Sequence, residues 1–128
     1  MTHRLTIRVY YEDTDFGGIV YYANYLKFIE RGRSEWVREL GVDQIAMKEE
    51  GVVFAVRAIE AEYLRPGKYD DLLEVVTEMD TITGARMIVR QSVLRDGEPL
   101  FTARVTVVAV HENGTPARLP AALRGRLN

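Results

Sequence analysis

Only Leu26 to Leu40 carries apolar residues at helical spacing over several turns, whereas most of the chain after Val52 is rich in β-branched residues and cut by turn signals. Leu26, Ile29, Trp36, Val37 and Leu40 recur on one side of that stretch, Phe28 widens the side, and Lys27, Arg31, Glu35, Arg38 and Glu39 take the other. One amphipathic helix cannot bury such a stripe against itself, so it needs a sheet. The strands for one are there: Val52 to Leu64, Leu72 to Thr83, Arg86 to Arg95 and Leu100 to His111, separated by Pro66-Gly67, Gly84 and Asp96-Gly97. Before the helix, Leu5, Ile7, Val9 and Tyr11 alternate with Thr6, Arg8 and Tyr10, which predicts another strand. Gly41 reads as the helix C-cap, Asp43 as the cap of a shorter helix running to about Glu50, and Gly51 as its stop. Gly32 costs about 1 kcal/mol relative to alanine inside a helix, so its presence predicts a close approach by the sheet. Asn113-Gly114 and Pro116 leave a short tail. The expected class is α+β, with a curved antiparallel sheet wrapped around one long central helix. With 128 residues, 47% of them hydrophobic, and no linker or repeat, residues 1–128 read as a single domain.

Charge and composition remove several kinds of function. A net charge of -2 with scattered basic residues argues against nucleic-acid and membrane-surface partners. The absence of cysteine excludes disulfides, a thiol nucleophile and cysteine metal sites. His3 and His111 have no ligand cluster near them in sequence, so no metal is expected. The polar, alternating start lacks the apolar core of a signal peptide, and no run is long enough to span a bilayer, so the chain reads as cytoplasmic.

The chemistry concentrates just before the helix. Asp13 and Asp15 lie one residue apart and are followed by Gly17-Gly18, the run Ile19 to Tyr22, and Asn24. Asn24 is expected to N-cap the helix through its side-chain oxygen, although Val20 to Ala23 can already form the first turn. Unpaired N–H groups and the positive end of the helix dipole then lie close to Asp15, a setting that favours a carboxylate, a phosphate or a developing oxyanion. The same pattern also describes a plain turn with capping carboxylates, and spacing leaves both readings open. A calcium loop fits at Asp13, Asp15 and Gly18 but fails where Gly17 and Asn24 replace its ligands.

The run Tyr11-Glu12-Asp13-Thr14-Asp15-Phe16-Gly17-Gly18-Ile19-Val20-Tyr21-Tyr22-Ala23-Asn24-Tyr25-Leu26, with Glu30-Arg31 and Arg33 behind it, resembles the signature of hot-dog-fold acyl-CoA thioesterases. It is most similar to the 4-hydroxybenzoyl-CoA thioesterase family, in the bacterial branch associated with the Tol-Pal system. Tyr63-Leu64-Arg65-Pro66-Gly67, Asp70-Asp71, Val107-Val108 and Pro120 extend the resemblance over nearly the whole chain. It implies a hot-dog fold whose copies pair sheet edge to sheet edge, as a dimer or a dimer of dimers (a homotetramer), with sites between subunits. Asp15 falls on the family's catalytic carboxylate, acting as general base or nucleophile. Backbone N–H groups around Tyr22, seven residues further on, fall where the oxyanion is held.

The resemblance usually places histidine where Tyr22 stands. A phenol with an ordinary pKa near 10 cannot act as a base there, but it can donate a hydrogen bond or line the acyl pocket. Gly18, Ile19, Val20 and Tyr25 are the expected substrate contacts. Arg65 and Lys68, flanking the Pro66-Gly67 turn, and Arg86, just after Gly84, sit at strand ends where a basic rim for the phosphates of coenzyme A is expected, or are plain solvated charges, and the resemblance places phosphate contacts in the loop near Thr83 to Arg86. Coenzyme A enters as part of the substrate, with no other cofactor, and an acyl carrier protein is an alternative carrier. Asp13 reads as shaping the loop. Glu30 is the substitute carboxylate, although Glu30 and Glu35 beside Arg31 and Arg33 read more simply as ion-pair members. Phe16, Tyr21, Tyr22, Tyr25 and Phe54 either line an acyl pocket or belong to the core. Two rivals share the fold. One binds acyl-CoA or acyl carrier protein without cleaving it; the other, a hydratase, needs a histidine, and His3 and His111 are poorly placed for that role.

Overall fold

A computed structural model describes residues 2–125. Its elements are β1 (Thr2–Arg8), a 3-10 turn (Tyr11–Asp13), α1 (Asn24–Glu39), α2 (Gln44–Glu49), β2 (Val52–Tyr63), β3 (Leu72–Ile82), β4 (Arg86–Arg95), β5 (Glu98–His111) and α3 (Ala121–Arg124). The strands form one antiparallel sheet in the order β1-β3-β4-β5-β2, which leaves β1 and β2 as its edges. One face receives α1 through Tyr25, Phe28, Ile29, Gly32, Trp36 and Val37, all buried. This is the expected α+β, hot-dog arrangement of a sheet around one long helix.

Gly32 explains how closely helix and sheet approach. A Cβ there would lie 2.7 Å from Val75 Cγ1 and 3.1 Å from Thr77 Oγ1, so the sheet occupies the space a side chain needs. Gln91 fills the polar remainder: its Nε2 donates to Ile29 O at 2.8 Å and Thr77 Oγ1 at 2.9 Å, while its Oε1 accepts from Arg33. The polar side chains brought under the helix by this contact are thereby paired. At the far end of α1, Gly41 N–H donates to Arg38 O and Val42 N–H to Val37 O, a Schellman closure with Gly41 at φ +91°. Asp43 caps α2 by accepting from Ile45 and Ala46 N–H. Asp96 and Gly97 both have positive φ, which gives the two-residue β4–β5 hairpin its type I′ twist.

Several expectations need correction. The first strand stops at Arg8 rather than Tyr11, because Asp13 Oδ2 accepts Tyr10 N–H at 2.8 Å and turns the chain. Tyr11 stands on that turn, exposed and stacked on Tyr69. Asn24 is the first helical residue and not the cap; Ala23 holds the cap position without a side-chain bond, and Asn24 Nδ2 instead donates to Asp13 O at 2.9 Å. Leu26 lies on the flank of α1, 39% exposed, outside the buried stripe. The tail is more than a tail, since Ala117, Leu119 and Leu123 are buried in the core and α3 forms its last turn. No helix among the described residues is long and apolar enough to cross a membrane.

Candidate active site

The acidic loop is a tight hairpin stitched to its surroundings. Asp15 N–H donates to Ile19 O at 2.9 Å, Thr14 bridges Val20, and Ile19 bridges Lys68. Val20 N–H donates to Gly67 O, and Gly67 N–H to the Tyr25 hydroxyl at 2.9 Å. Glycine suits position 67, because a Cβ would lie 3.1 Å from both Tyr25 Oη and Val20 Cγ2, a tight fit that would push one of them aside. The turn that carries it is braced from behind. Arg95 Nη1 contacts Asp71 Oδ2 at 2.6 Å and Pro66 O at 3.2 Å, and Asp71 Oδ2 also accepts Lys68 N–H. Asp13 supplies the third tie, its carbonyl accepting both Tyr21 N–H and Asn24 Nδ2 while its carboxylate holds Tyr10. This matches its expected loop-shaping role.

Asp15 is held differently. Its Oδ1 accepts Gly17 N–H at 2.9 Å, and the side chain is otherwise exposed in the single chain. Gly18 follows at φ +81°, a conformation that favours glycine and lets the chain fold back from Asp15 to Ile19.

The helix entrance is pre-set in the same way. Tyr21 O accepts Asn24 N–H at 2.8 Å and Tyr22 O accepts the Tyr63 hydroxyl at 2.8 Å, so both carbonyls are tied back. Neither the Tyr22 nor the Ala23 N–H has an acceptor among the described residues. Two free amides at the positive end of a helix are donors for an anion. Tyr63 holds the Tyr22 carbonyl as a neutral phenol donor, the form its ordinary pKa near 10 already secures, and desolvation with neighbouring Tyr22 raises that pKa further. Burial likewise raises Tyr25, against the opposing effect of the Gly67 N–H.

Beside this entrance lies a cleft of about 350 Å³ lined by Ile19, Val20, Tyr22, Tyr25 and Arg65 together with Tyr63, Leu64 and Pro66. The first five are sequence-predicted; Tyr63, Leu64 and Pro66 are additions. Tyr25 serves both readings of the aromatic residues, since its ring stacks on Phe101 in the core at 5.0 Å. Phe16 is fully exposed at the hairpin tip, and Phe54 lines a different cavity.

That second cavity, about 200 Å³, separates α1 from β2 further along the helix and holds Glu30, Arg33 and Ser34. Glu35 pairs with Arg38 and so is an ion-pair member as expected, whereas Glu30 accepts from the Ser34 hydroxyl there and forms no ion pair with Arg31 or Arg33. Burial lowers the Arg33 pKa, partly offset by Glu30.

The cationic contacts divide between the two ends of the molecule. Arg65 lines the cleft but its Nε lies 3.0 Å from Glu98 Oε1, and Lys68 is exposed beside Ile19. Thr83 and Arg86 belong to the β3–β4 turn, across the whole length of β3 from the acidic loop, roughly 30 Å for an eleven-residue strand. One chain does not bring them to Asp15.

An antiparallel sheet around one helix, with an acidic hairpin running into free amides, defines the hot-dog class of thioester enzymes. The chain belongs to the thioesterase-like superfamily, whose family model matches residues 9–127. It is 42% identical over 108 residues to the acyl-CoA thioester hydrolase YbgC of Escherichia coli O6:H1 (84% of this chain, 81% of that one). It is also 42% identical over 105 residues to the acyl-CoA thioesterase YbgC of Haemophilus influenzae (81% and 77%). A probable thioesterase from Bartonella henselae superimposes with a TM-score of 0.90 at 40% identity, covering 94% of this chain and all of that one.

Proposed function

We propose that the protein hydrolyses acyl-CoA thioesters at the acidic loop. The observation that carries this reading is the pairing of an exposed carboxylate, on a hairpin fixed by backbone bonds, with two unengaged amides at the entrance of α1. Asp15 acts as general base or as nucleophile. As base it takes a proton from water while the water oxygen adds to the thioester carbon. As nucleophile its carboxylate adds to that carbon and water then cleaves the resulting anhydride. In both cases the carbonyl oxygen gains negative charge, and the Tyr22 and Ala23 N–H groups receive it. The sulfur leaves with a proton as coenzyme A. A base supplies typically 10²- to 10⁴-fold, and each fixed oxyanion donor about 10²- to 10³-fold. Tyr22 contributes its amide and a ring wall of the cleft, with Ile19, Val20 and Tyr25 alongside, while Gly18 stands outside that lining and shapes the turn that leads to it.

An exposed carboxylate needs cover to work on a thioester, and the second copy supplies it. β2 is an open edge with Val56, Ile59 and Tyr63 between 37% and 49% exposed, suited to pair with β2 of another copy. The resulting dimer, alone or as half of a tetramer, sets one chain's β3–β4 turn towards its partner's acidic loop. Arg65, Lys68, Thr83 and Arg86 then serve a single ligand from two chains. An acyl-CoA substrate fits a cytoplasmic protein.

Short, long and aromatic acyl-CoAs, each incubated with the protein while free thiol is followed, test this reading. Turnover of at least one class is expected. Tight binding without thiol release would favour a non-catalytic module that holds acyl-CoA or acyl carrier protein.

A further inference from the structure

Arg95, at the end of β4, meets Asp71, just before β3, with side chains 29% and 22% exposed. Theirs is the only ion pair among the described residues in which both partners are less than a third exposed. Water screens such a pair less than an open one, and the charge-assisted bond is short, at 2.6 Å.

Both partners also hold backbone. Arg95 Nη1 reaches Pro66 O at 3.2 Å and Asp71 Oδ2 accepts Lys68 N–H at 2.8 Å, so the residues on either side of Gly67 are clamped. Gly67 carries the constraint forward: its carbonyl accepts Val20 N–H at 2.8 Å, and its N–H donates to Tyr25 Oη at 2.9 Å. Val20 in turn is bridged across the hairpin to Thr14, and Ile19 O accepts Asp15 N–H at 2.9 Å. Tyr22 follows Val20 by two residues. The Asp15 carboxylate and the Tyr22 and Ala23 amides therefore take their positions from one anchored residue. Arg95 itself lies outside the lining of the cleft.

We infer that Arg95 is a positioning residue for thioester cleavage: through Asp71 and the Pro66–Lys68 turn it fixes the separation between the Asp15 carboxylate and the Tyr22 and Ala23 amides. The inference rests on the thioesterase reading and deepens it. A carboxylate and a pair of donors act on one carbonyl only at a set distance, and a misplacement of about 1 Å can cost 10²-fold.

Steady-state kinetics with an acyl-CoA that wild type turns over, alongside melting curves, test this in Arg95→Ala, Arg95→Lys and the control Arg104→Ala. The control removes an ion-paired guanidinium from the middle of β5. Arg95→Ala should lower kcat about tenfold with KM within about twofold of wild type. Arg95→Lys should fall in between, because lysine keeps the charge without the planar guanidinium, and Arg104→Ala should keep wild-type kcat. Added to Asp15→Asn, Arg95→Ala should cost less than about twofold more, since the carboxylate it places is already gone. Should Arg95→Ala fail to fold, Arg95→Lys carries the test with the same split between kcat and KM.

An unchanged kcat in the folded Arg95 variants would overturn the inference, with or without a rise in KM. So would an equal loss in Arg104→Ala, or a full tenfold loss on the Asp15→Asn background, either of which marks a general weakening of the fold. Those results leave the thioesterase reading standing. A wild type that releases no thiol from any acyl-CoA would remove both.

Discussion

At the end of the sheet where β1 delivers the chain towards α1, carbonyls are tied back, a glycine admits a phenol, and an Arg95–Asp71 pair braces the turn. The opposite end, at the β3–β4 turn, has a threonine-fixed loop that carries Arg86. The first end is built for geometry, with an aromatic and largely apolar cleft; the second is built for charge. A carboxylate reacting with an uncharged thioester gains from fixed donors at close range, and phosphates gain from open cations. The length of β3 keeps the two ends apart within one chain, and a second copy paired through β2, as proposed, is what brings them to one ligand.

Mixing variants is the most severe challenge to that contrast. Asp15→Asn and Arg86→Ala proteins, each weak alone at low acyl-CoA, should regain about a quarter of wild-type activity when refolded together, because half the dimers then carry one intact composite site. No recovery would place both functions within one chain. Tyr63→Phe comes next: it frees the Tyr22 carbonyl, and kcat should fall about tenfold with KM nearly unchanged. If KM rose instead, Tyr63 would be a binding wall and not a support for the donor amides.

A pH series separates the ends more gently. Burial raises the pKa of Tyr25, so the stability its neutral form contributes is complete below the ordinary phenol value near 10 and is lost as pH rises through the folded value. Thermal melts should therefore drop on the alkaline side of pH 10, and less steeply in Tyr25→Phe. Arg65→Ala should have the smallest effect, within about threefold on KM, since that exposed guanidinium is already paired with Glu98.

What is legible in the sequence depends on how far each signal reaches. Gly32, Asp43 and Asp96-Gly97 announce their roles because the steric or capping requirement is local. The acidic loop before a helix is legible only as a turn or an anion site; the family resemblance, and not spacing, singles out Asp15 and the amides at Tyr22. Asn24 misleads because its amide is claimed by the Asp13 carbonyl, eleven residues back, in place of the helix end. Tyr63 is visible as a residue but not as a support, its acceptor lying 41 residues away. Leu26 is apolar yet exposed, on a flank that one chain does not cover.

The central claim is that the Asp15 carboxylate performs the chemistry while other parts of the molecule hold the substrate. Steady-state and binding measurements on Asp15→Asn, with an acyl-CoA that wild type turns over, test it most directly. The account predicts a fall in kcat of about a thousandfold with substrate affinity within a few-fold of wild type. Unchanged kcat in the variant would contradict it and move the search for the reacting carboxylate to Glu30.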